Sequence, residues 1–231
     1  MKVCDLPYRR VTLEEIEKGM KDVIARVKNA KSVDEVLAAR QDYLALQTDY
    51  QTAASLSYMR YSINTVDEFY VAEKDYYDEI GPAAYNLKIE YEEALLDSPF
   101  RAELEKALLP LLFKAFEVER KTMSPEIIED MVEENKLVSE YSQLMAGMEF
   151  EFRGEKMPRT LLAKYYKDDD RATRREAYEA LGKGLAAHSE ALDGIFDKLV
   201  HVRDRIAKKM GYKNFVELGY YRMGRLCYDQ D

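Results

Sequence analysis

The two histidines of the chain are the first residues to consider for metal binding or acid–base chemistry. His188 occurs in the stretch HSEAL and His201 in HVRDR. Neither begins an HExxH motif, whose two histidines and glutamate share one helical face to hold zinc and polarise its water. They are more than three helical turns apart, so one straight helix cannot bring them to the same metal. We therefore assign no catalytic and no metal-binding residue.

Two other short patterns resemble chemical motifs but lack their defining spacing. The run Asp168–Asp170 could ligate a hard cation, but a calcium loop needs ligands at alternate positions and a glycine turn. The three aspartates fit better as the cap of the arginine-rich helix that follows them. Gly182-Lys183-Gly184 lacks the GxxxxGK[ST] pattern of a phosphate loop, and we place it on the surface.

The segment 215–228 carries an unusual amount of apolar and aromatic surface. It follows a long helix that runs from about Asp193 and ends at Gly211, and Asn214 with Glu217 has the spacing of a cap for a short second helix. So short a helix cannot bury all of its own apolar side chains, and we predict that it needs a partner that the chain does not supply. Exposed patches of this kind favour association, so self-association through residues 215–228 is expected.

Capping signals divide the first half of the chain into long helices. Thr12 with Glu15 has the capping-box spacing, and Ser32 with Glu35 repeats it for a second helix that reaches about residue 63. Asp67 is a candidate N-cap for a third helix. The short breaks between these helices predict that neighbours run antiparallel.

Proline positions mark the later boundaries. Gly81-Pro82 predicts a kink or short interruption in the third helix, at residues 68–96. Ser98-Pro99 and Ser124-Pro125 each read as a helix start, because serine can cap the exposed amides and proline fits the first helical position.

One strand signal interrupts the helical pattern. EFEFR at residues 149–153 alternates polar and aromatic side chains, and Gly154 precedes a possible return strand at residues 155–158. The predicted fold is therefore all-α, an elongated array of long antiparallel helices with one small β-hairpin. We place a domain boundary near residues 147 and 148, which gives an N-terminal helical region, 1–147, and a second region, 148–231. A single domain is the alternative.

Composition excludes several classes of partner. The 231 residues carry a net charge of −9, which disfavours nucleic-acid binding. No apolar run approaches the ~18 residues that cross a membrane. Cys4 and Cys227 lie near opposite ends without metal-type spacing, which fits a reducing cytoplasm.

Most of the sequence resembles one peptidase family. The run Asp170–Asp229, the FEFRGEKMP segment before it and the helical leader resemble the amino-terminal part of M3 zinc metallopeptidases of the oligoendopeptidase F type. In that family the HExxH helix lies downstream of the segment similar to MGYKNFVELGYYRM, and this sequence ends before reaching it. The resemblance covers nearly all 231 residues but transfers no zinc or catalytic residue to any of them.

The resemblance implies a function for the parent enzyme. It predicts zinc-dependent hydrolysis of short peptides in the cytoplasm, with this part forming the lid or wall of a deep channel and all zinc ligands lying beyond Asp231. Tyr220, Tyr221, Arg222 and Arg225 are the substrate-wall candidates, since arginine can form a bidentate fork with a carboxylate. The chain alone is expected to be inactive and to need no cofactor. The alternative is a stand-alone, non-catalytic helical protein that binds peptides or self-associates.

Overall fold

The structure is a computed structural model that describes residues 5–229. Cys4, one of the two cysteines considered above, lies outside the described residues, and Cys227 is an exposed free thiol. The described residues form helices and one two-stranded antiparallel sheet, which confirms the predicted all-α fold with a small hairpin. They group into two compact units, one containing the residues up to Glu133 and from Arg203 onward, the other Glu134–Val202.

Ten α-helices account for most of the described chain. They are α1 (Leu13–Asn29), α2 (Val33–Ile63), α3 (Glu68–Leu96), α4 (Arg101–Leu108), α5 (Pro110–Glu119), α6 (Ile128–Gly147), α7 (Arg159–Leu162), α8 (Arg171–Ala186), α9 (Ser189–Lys209) and α10 (Phe215–Arg222). Two short 3-10 segments, Pro125–Ile127 and Ala163–Lys167, precede α6 and α8. Strands β1 (Glu149–Phe152) and β2 (Glu155–Pro158) form the hairpin.

Several helices begin where local capping chemistry predicts. Thr12 and Glu15 form the full capping box of α1. Ser32 caps α2 by accepting from the Glu35 amide, and Asp67 accepts from two amides at the start of α3. Asp170 caps α8 in the same way, which confirms the structural interpretation of the Asp168–Asp170 run.

The first unit is built on α1, α2 and α3. Side-chain contacts between α2 and α3 run in opposite order along the two helices: Arg60 reaches Tyr70, the rings of Tyr50 and Tyr77 pack at 5.8 Å, and Tyr43 stacks on Tyr91 at 3.8 Å. These two helices are therefore antiparallel, as predicted.

The residues before α1 are fastened to this helical core by polar contacts. Tyr8 and Arg10 both donate to Glu73, whose residue is 3% exposed. The hydrogen bond from Arg10 is the main reason that the pKa of Glu73 is lowered from its ordinary value. The Val11 amide also donates to the Tyr77 hydroxyl over 3.0 Å. The leader is thus part of the first unit.

The interruption predicted at Gly81-Pro82 and the helix start predicted at Ser98-Pro99 need correction. No interruption divides α3, which continues from Glu68 to Leu96 with Pro82 inside it. The alternative, a kink at Pro82, stays a prediction. Proline removes only one intrahelical hydrogen bond, and Pro82 is itself buried, so packing on the flanking turns can hold the helix together. α4 begins at Arg101 rather than at Pro99, because the Ser98 hydroxyl accepts from the Phe100 amide in a turn that precedes the helix.

A buried ionic cluster links α3 to α5. The Lys88 ammonium lies 2.9 Å from a carboxylate oxygen of Glu92 and also contacts Glu119. Glu92 is 1% exposed, and burial raises its pKa to about 7 despite the attraction of Lys88. The hydrogen bond to Glu119 and the charge of Glu92 raise the pKa of Lys88, although burial opposes this. Lys88 is therefore the cation that compensates two acidic side chains.

The second unit is organised around the hairpin. Phe150, Phe152 and Met157 are buried in a cluster with Leu162 of α7 and Ala177 of α8. Gly184, predicted to lie on the surface with its neighbours, is instead half-buried, and a Cβ atom there would lie 2.3 Å from the Phe150 ring. The missing side chain lets α8 approach the hairpin. Gly182 and Lys183 are exposed as predicted.

The predicted division at residues 147 and 148 remains a prediction. The two units are defined by contact clustering, and both α6 and α9 contain residues of both units. Among the described residues, no helix combines the length and the hydrophobicity required to cross a membrane.

Candidate functional site

The predicted substrate-wall residues lie on α10 and just after it. The end of α9 determines where α10 begins. Asp130, 5% exposed, accepts from Arg205 over 2.7 Å and from Lys209 over 2.5 Å in the last turns of α9. Burial opposes its ionisation, but these two donors lower the pKa of Asp130 below its ordinary value. Gly211 then takes a positive φ of 84°, and Asn214 caps α10 by accepting from the Val216 amide. Glu217 does not complete a capping box.

One face of α10 finds a partner within the chain. Leu218 is completely buried, and α10 contacts α5. The Tyr212 hydroxyl donates to the Lys121 carbonyl over 2.8 Å, and the Lys121 ammonium lies 4.6 Å from the centre of the Tyr221 ring. The prediction that the chain supplies no partner is therefore wrong for this face. Packing against α5 covers it, which the pattern of 215–228 alone could not show.

Tyr221 is held in a polar contact on the same side. Its hydroxyl donates to a Glu217 carboxylate oxygen over 2.9 Å, one helical turn earlier. This hydrogen bond is the main reason that the pKa of Tyr221 is raised, so its hydroxyl stays a donor at neutral pH. Glu217, expected to cap the helix, instead orients this tyrosine.

The other three candidates form two separate groups. The Arg225 guanidinium lies 5.8 Å from the ring centre of Tyr220 and 4.7 Å from that of Tyr228. Arg222 lies over the ring of Phe215 at 5.6 Å. The structure thus brings Tyr220 and Arg225 together and gives Tyr221 and Arg222 different neighbours. An arginine stacked over aromatic rings, as Arg225 is, can still present its edge to a carboxylate.

Four large apolar residues of this segment stay exposed: Val216, Met223, Leu226 and Tyr228, between 37% and 59%. Neither histidine belongs to the segment 215–228. His201 faces solvent on α9, and the Nδ1 atom of His188 is 3.0 Å from the Gly184 carbonyl. Across residues 5–229, no group of three His, Cys, Asp or Glu side chains could hold a metal ion. We derive no catalytic step from these residues.

A second concave surface lies within the other unit, at the hairpin. A groove of about 660 Å³ is bordered by β1 on one side and by the end of α8 on the other. Glu149, Glu151, Lys183 and His188 contribute to its walls. The sequence predicts the strands but not this groove, because the approach of α8 depends on Gly184. The sequence feature that could have indicated this close approach of α8 is an isolated glycine within a helical pattern.

Comparison with known proteins relates this fold to peptidases. A family model described as "Peptidase M3 N-terminal domain" matches residues 4–123, just over half of the chain. No curated protein matches. Similar solved structures include a putative oligoendopeptidase F (38% identity, TM-score 0.95) and a putative oligoendopeptidase F from Bacillus anthracis str. Ames (39%, 0.91). PZ peptidase A with inhibitor 2 is also similar (39%, 0.94).

These alignments cover 98–100% of this chain but only 41–42% of the solved chains. The chain therefore spans about two fifths of the length of these solved relatives. It belongs to the M3 peptidases, in the family of the M3 N-terminal domain.

Proposed function

We propose that this chain forms the lid and substrate wall of an oligoendopeptidase of the M3 type that hydrolyses short peptides. The observation that carries the proposal is the similarity of the whole chain, at 38–39% identity, to about two fifths of oligoendopeptidase F structures. Zinc, the cofactor that the family implies, would be held by residues outside this sequence. We propose a cytoplasmic location, consistent with the free thiol of Cys227.

A chimera tests the wall function. The corresponding portion of the solved B. anthracis oligoendopeptidase F would be replaced by this chain, and hydrolysis of a quenched fluorogenic peptide measured with and without a chelator. We expect chelator-sensitive turnover. Arg225→Ala should raise KM several-fold with little change in kcat, because it removes binding shared by the ground and transition states. Lys114→Ala, at an exposed residue of α5, is the control. An unchanged KM for Arg225→Ala contradicts the role of this arginine.

The chain by itself should hydrolyse nothing. Because the described residues offer no three-ligand cluster, adding zinc and the same fluorogenic peptide to purified chain should give no cleavage that a chelator stops. Fluorescence with an active oligoendopeptidase as the positive control measures this. Turnover that copurifies with the chain and disappears on chelation would show that these residues do carry a site.

Self-association is a second proposed property, favoured by the exposed apolar residues of 215–228. We expect the isolated chain to form concentration-dependent oligomers, detected by light scattering. Leu226→Ser combined with Tyr228→Ser should shift the protein to monomer, because both residues are exposed and add apolar surface to any contact. Phe196→Ser removes an exposed aromatic residue elsewhere and serves as the control. A monomer at all concentrations would refute association through this segment.

A further inference from the structure

The hairpin of the second unit has a backbone edge that no described residue pairs. Its two turn residues, Arg153 and Gly154, both have positive φ, 54° and 85°, which defines a type I′ turn. In such a turn Phe152 and Glu155 exchange hydrogen bonds, and bonded pairs then alternate along the strands. Phe150 therefore bonds to Met157, while the N–H and C=O groups of Glu149 and Glu151 point away from β2.

The partner strand fits this assignment. Pro158 lies opposite Glu149 in the register, at a non-bonded position where its missing N–H costs nothing. The bonded positions of β1, Phe150 and Phe152, carry the buried side chains, 0% and 4% exposed. The unpaired backbone groups thus belong to the two residues whose side chains are exposed.

The groove lies beside this free edge. It is lined by Glu149 and Glu151 of β1, by Arg153 and Lys156 from the turn and β2, and by Lys183 and Gly184 of α8. Its volume is about 660 Å³, and it is open to solvent. β1 and α8 are packed tightly together next to the groove, because the Phe150 ring is buried directly against Gly184. The groove therefore offers backbone hydrogen-bonding groups at a fixed wall.

The exposed side chains determine what could bind there. Glu149 and Glu151 point to the same face of β1, about 7 Å apart. Neither carboxylate forms a hydrogen bond or an ion pair within residues 5–229, although Lys156 lies opposite Glu151 in the register. Arg153, which also lines the groove, is paired with Glu176. A strand added to this edge would place its Cβ atoms about 5 Å from the Cβ atoms of Glu149 and Glu151. Directly opposed charges of opposite sign stabilise a sheet, and like charges destabilise it.

We propose that the free edge of β1 binds an extended peptide as an added antiparallel strand, with a preference for basic side chains at two alternate positions, opposite Glu149 and Glu151. The backbone bonds supply affinity, and the two carboxylates select the sequence. This site lies within the second unit, does not include the α10 residues and requires no catalysis. It therefore stands or fails separately from the wall function.

Backbone methylation gives the sharpest test. In an antiparallel added strand, residues opposite Glu149 and Glu151 form the bonded pairs, so their amides face β1. A fluorescein-labelled peptide Gly-Thr-Lys-Val-Lys-Thr-Gly would be titrated into the purified chain and followed by anisotropy. N-methylation of the two lysine amides should weaken binding at least tenfold. N-methylation of the valine amide, which faces away, should change it less than twofold.

Charge reversal tests the selection. Glu149→Lys with Glu151→Lys should weaken binding of the lysine peptide at least tenfold and should favour the matching glutamate peptide. Glu155→Lys makes the same charge change at an exposed residue of β2 outside the groove and should have little effect. Unchanged far-UV circular dichroism would establish that the variants fold. Absence of binding to the parent chain, equal binding of the two methylated peptides, or an unchanged preference after reversal would each overturn the proposal.

Discussion

Replacing Lys88 by methionine is expected to lower the free energy of unfolding by about 3–5 kcal/mol at pH 8, since removing one partner of a buried ion pair leaves an uncompensated charge. Glu92 is 1% exposed, and Lys88 is the cation in contact with both it and Glu119. Methionine keeps the length of the side chain but not its charge. Denaturant unfolding followed by circular dichroism measures the loss.

The dependence on pH distinguishes this cause from a simple packing defect. Burial raises the folded pKa of Glu92 to about 7, above its ordinary value. Its carboxyl therefore contributes stability at low pH, and this contribution is lost as pH rises from about 4.5 through about 7. The loss of unfolding free energy caused by Lys88→Met should therefore increase as pH rises. It should be small near pH 5, where Glu92 is protonated.

Two further variants complete this test. Adding Glu92→Gln to Lys88→Met should restore most of the lost stability at pH 8, because it removes the unpaired carboxylate. Lys114→Met removes an exposed lysine and should change stability by less than about 0.5 kcal/mol. A Lys88→Met deficit that is the same at pH 5 and pH 8, or that Glu92→Gln does not relieve, would contradict the ionic explanation.

Phe150→Ala should destabilise the second unit by about 3–5 kcal/mol, the usual cost of emptying a fully buried aromatic site. The ring is 0% exposed and lies against Gly184 in the cluster that joins the hairpin to α8. Unfolding measured by circular dichroism, together with the rate of proteolysis within residues 148–186, reports the change. Phe196→Ala removes a ring that is 69% exposed and is the matched control.

Gly184→Ala probes the same contact from the other side. A Cβ atom there would lie 2.3 Å from the Phe150 ring, so the substitution should cost about 1–3 kcal/mol through overpacking. With Phe150→Ala the new methyl group has space, and the combined cost should be smaller than the sum of the two. Strict additivity, or a Phe150→Ala cost no larger than that of Phe196→Ala, would contradict the packing described here.

The sequence by itself determined those features that depend on residues a few positions apart. Thr12 and Glu15 cap the start of α1 as predicted, and Asp170 caps the start of α8 by accepting from two backbone amides. Both caps could be predicted because the groups that form a cap lie within one helical turn of each other. The alternation in EFEFR and the Gly154 turn likewise indicated the hairpin. The resemblance of the longer stretches indicated the peptidase family.

The tertiary structure decided whatever depends on residues distant in the chain. Glu119 reaches Lys88 from another helix, and Lys121 and Tyr212 cover one face of α10. No local pattern distinguishes the buried Glu92 from an exposed glutamate, because its pKa follows from desolvation by surrounding helices. Gly184 gained its role only when α8 met Phe150. Capping energies act along the chain, whereas burial and charge compensation arise from packing across it, and that packing set both the α10 surface and the groove beside β1.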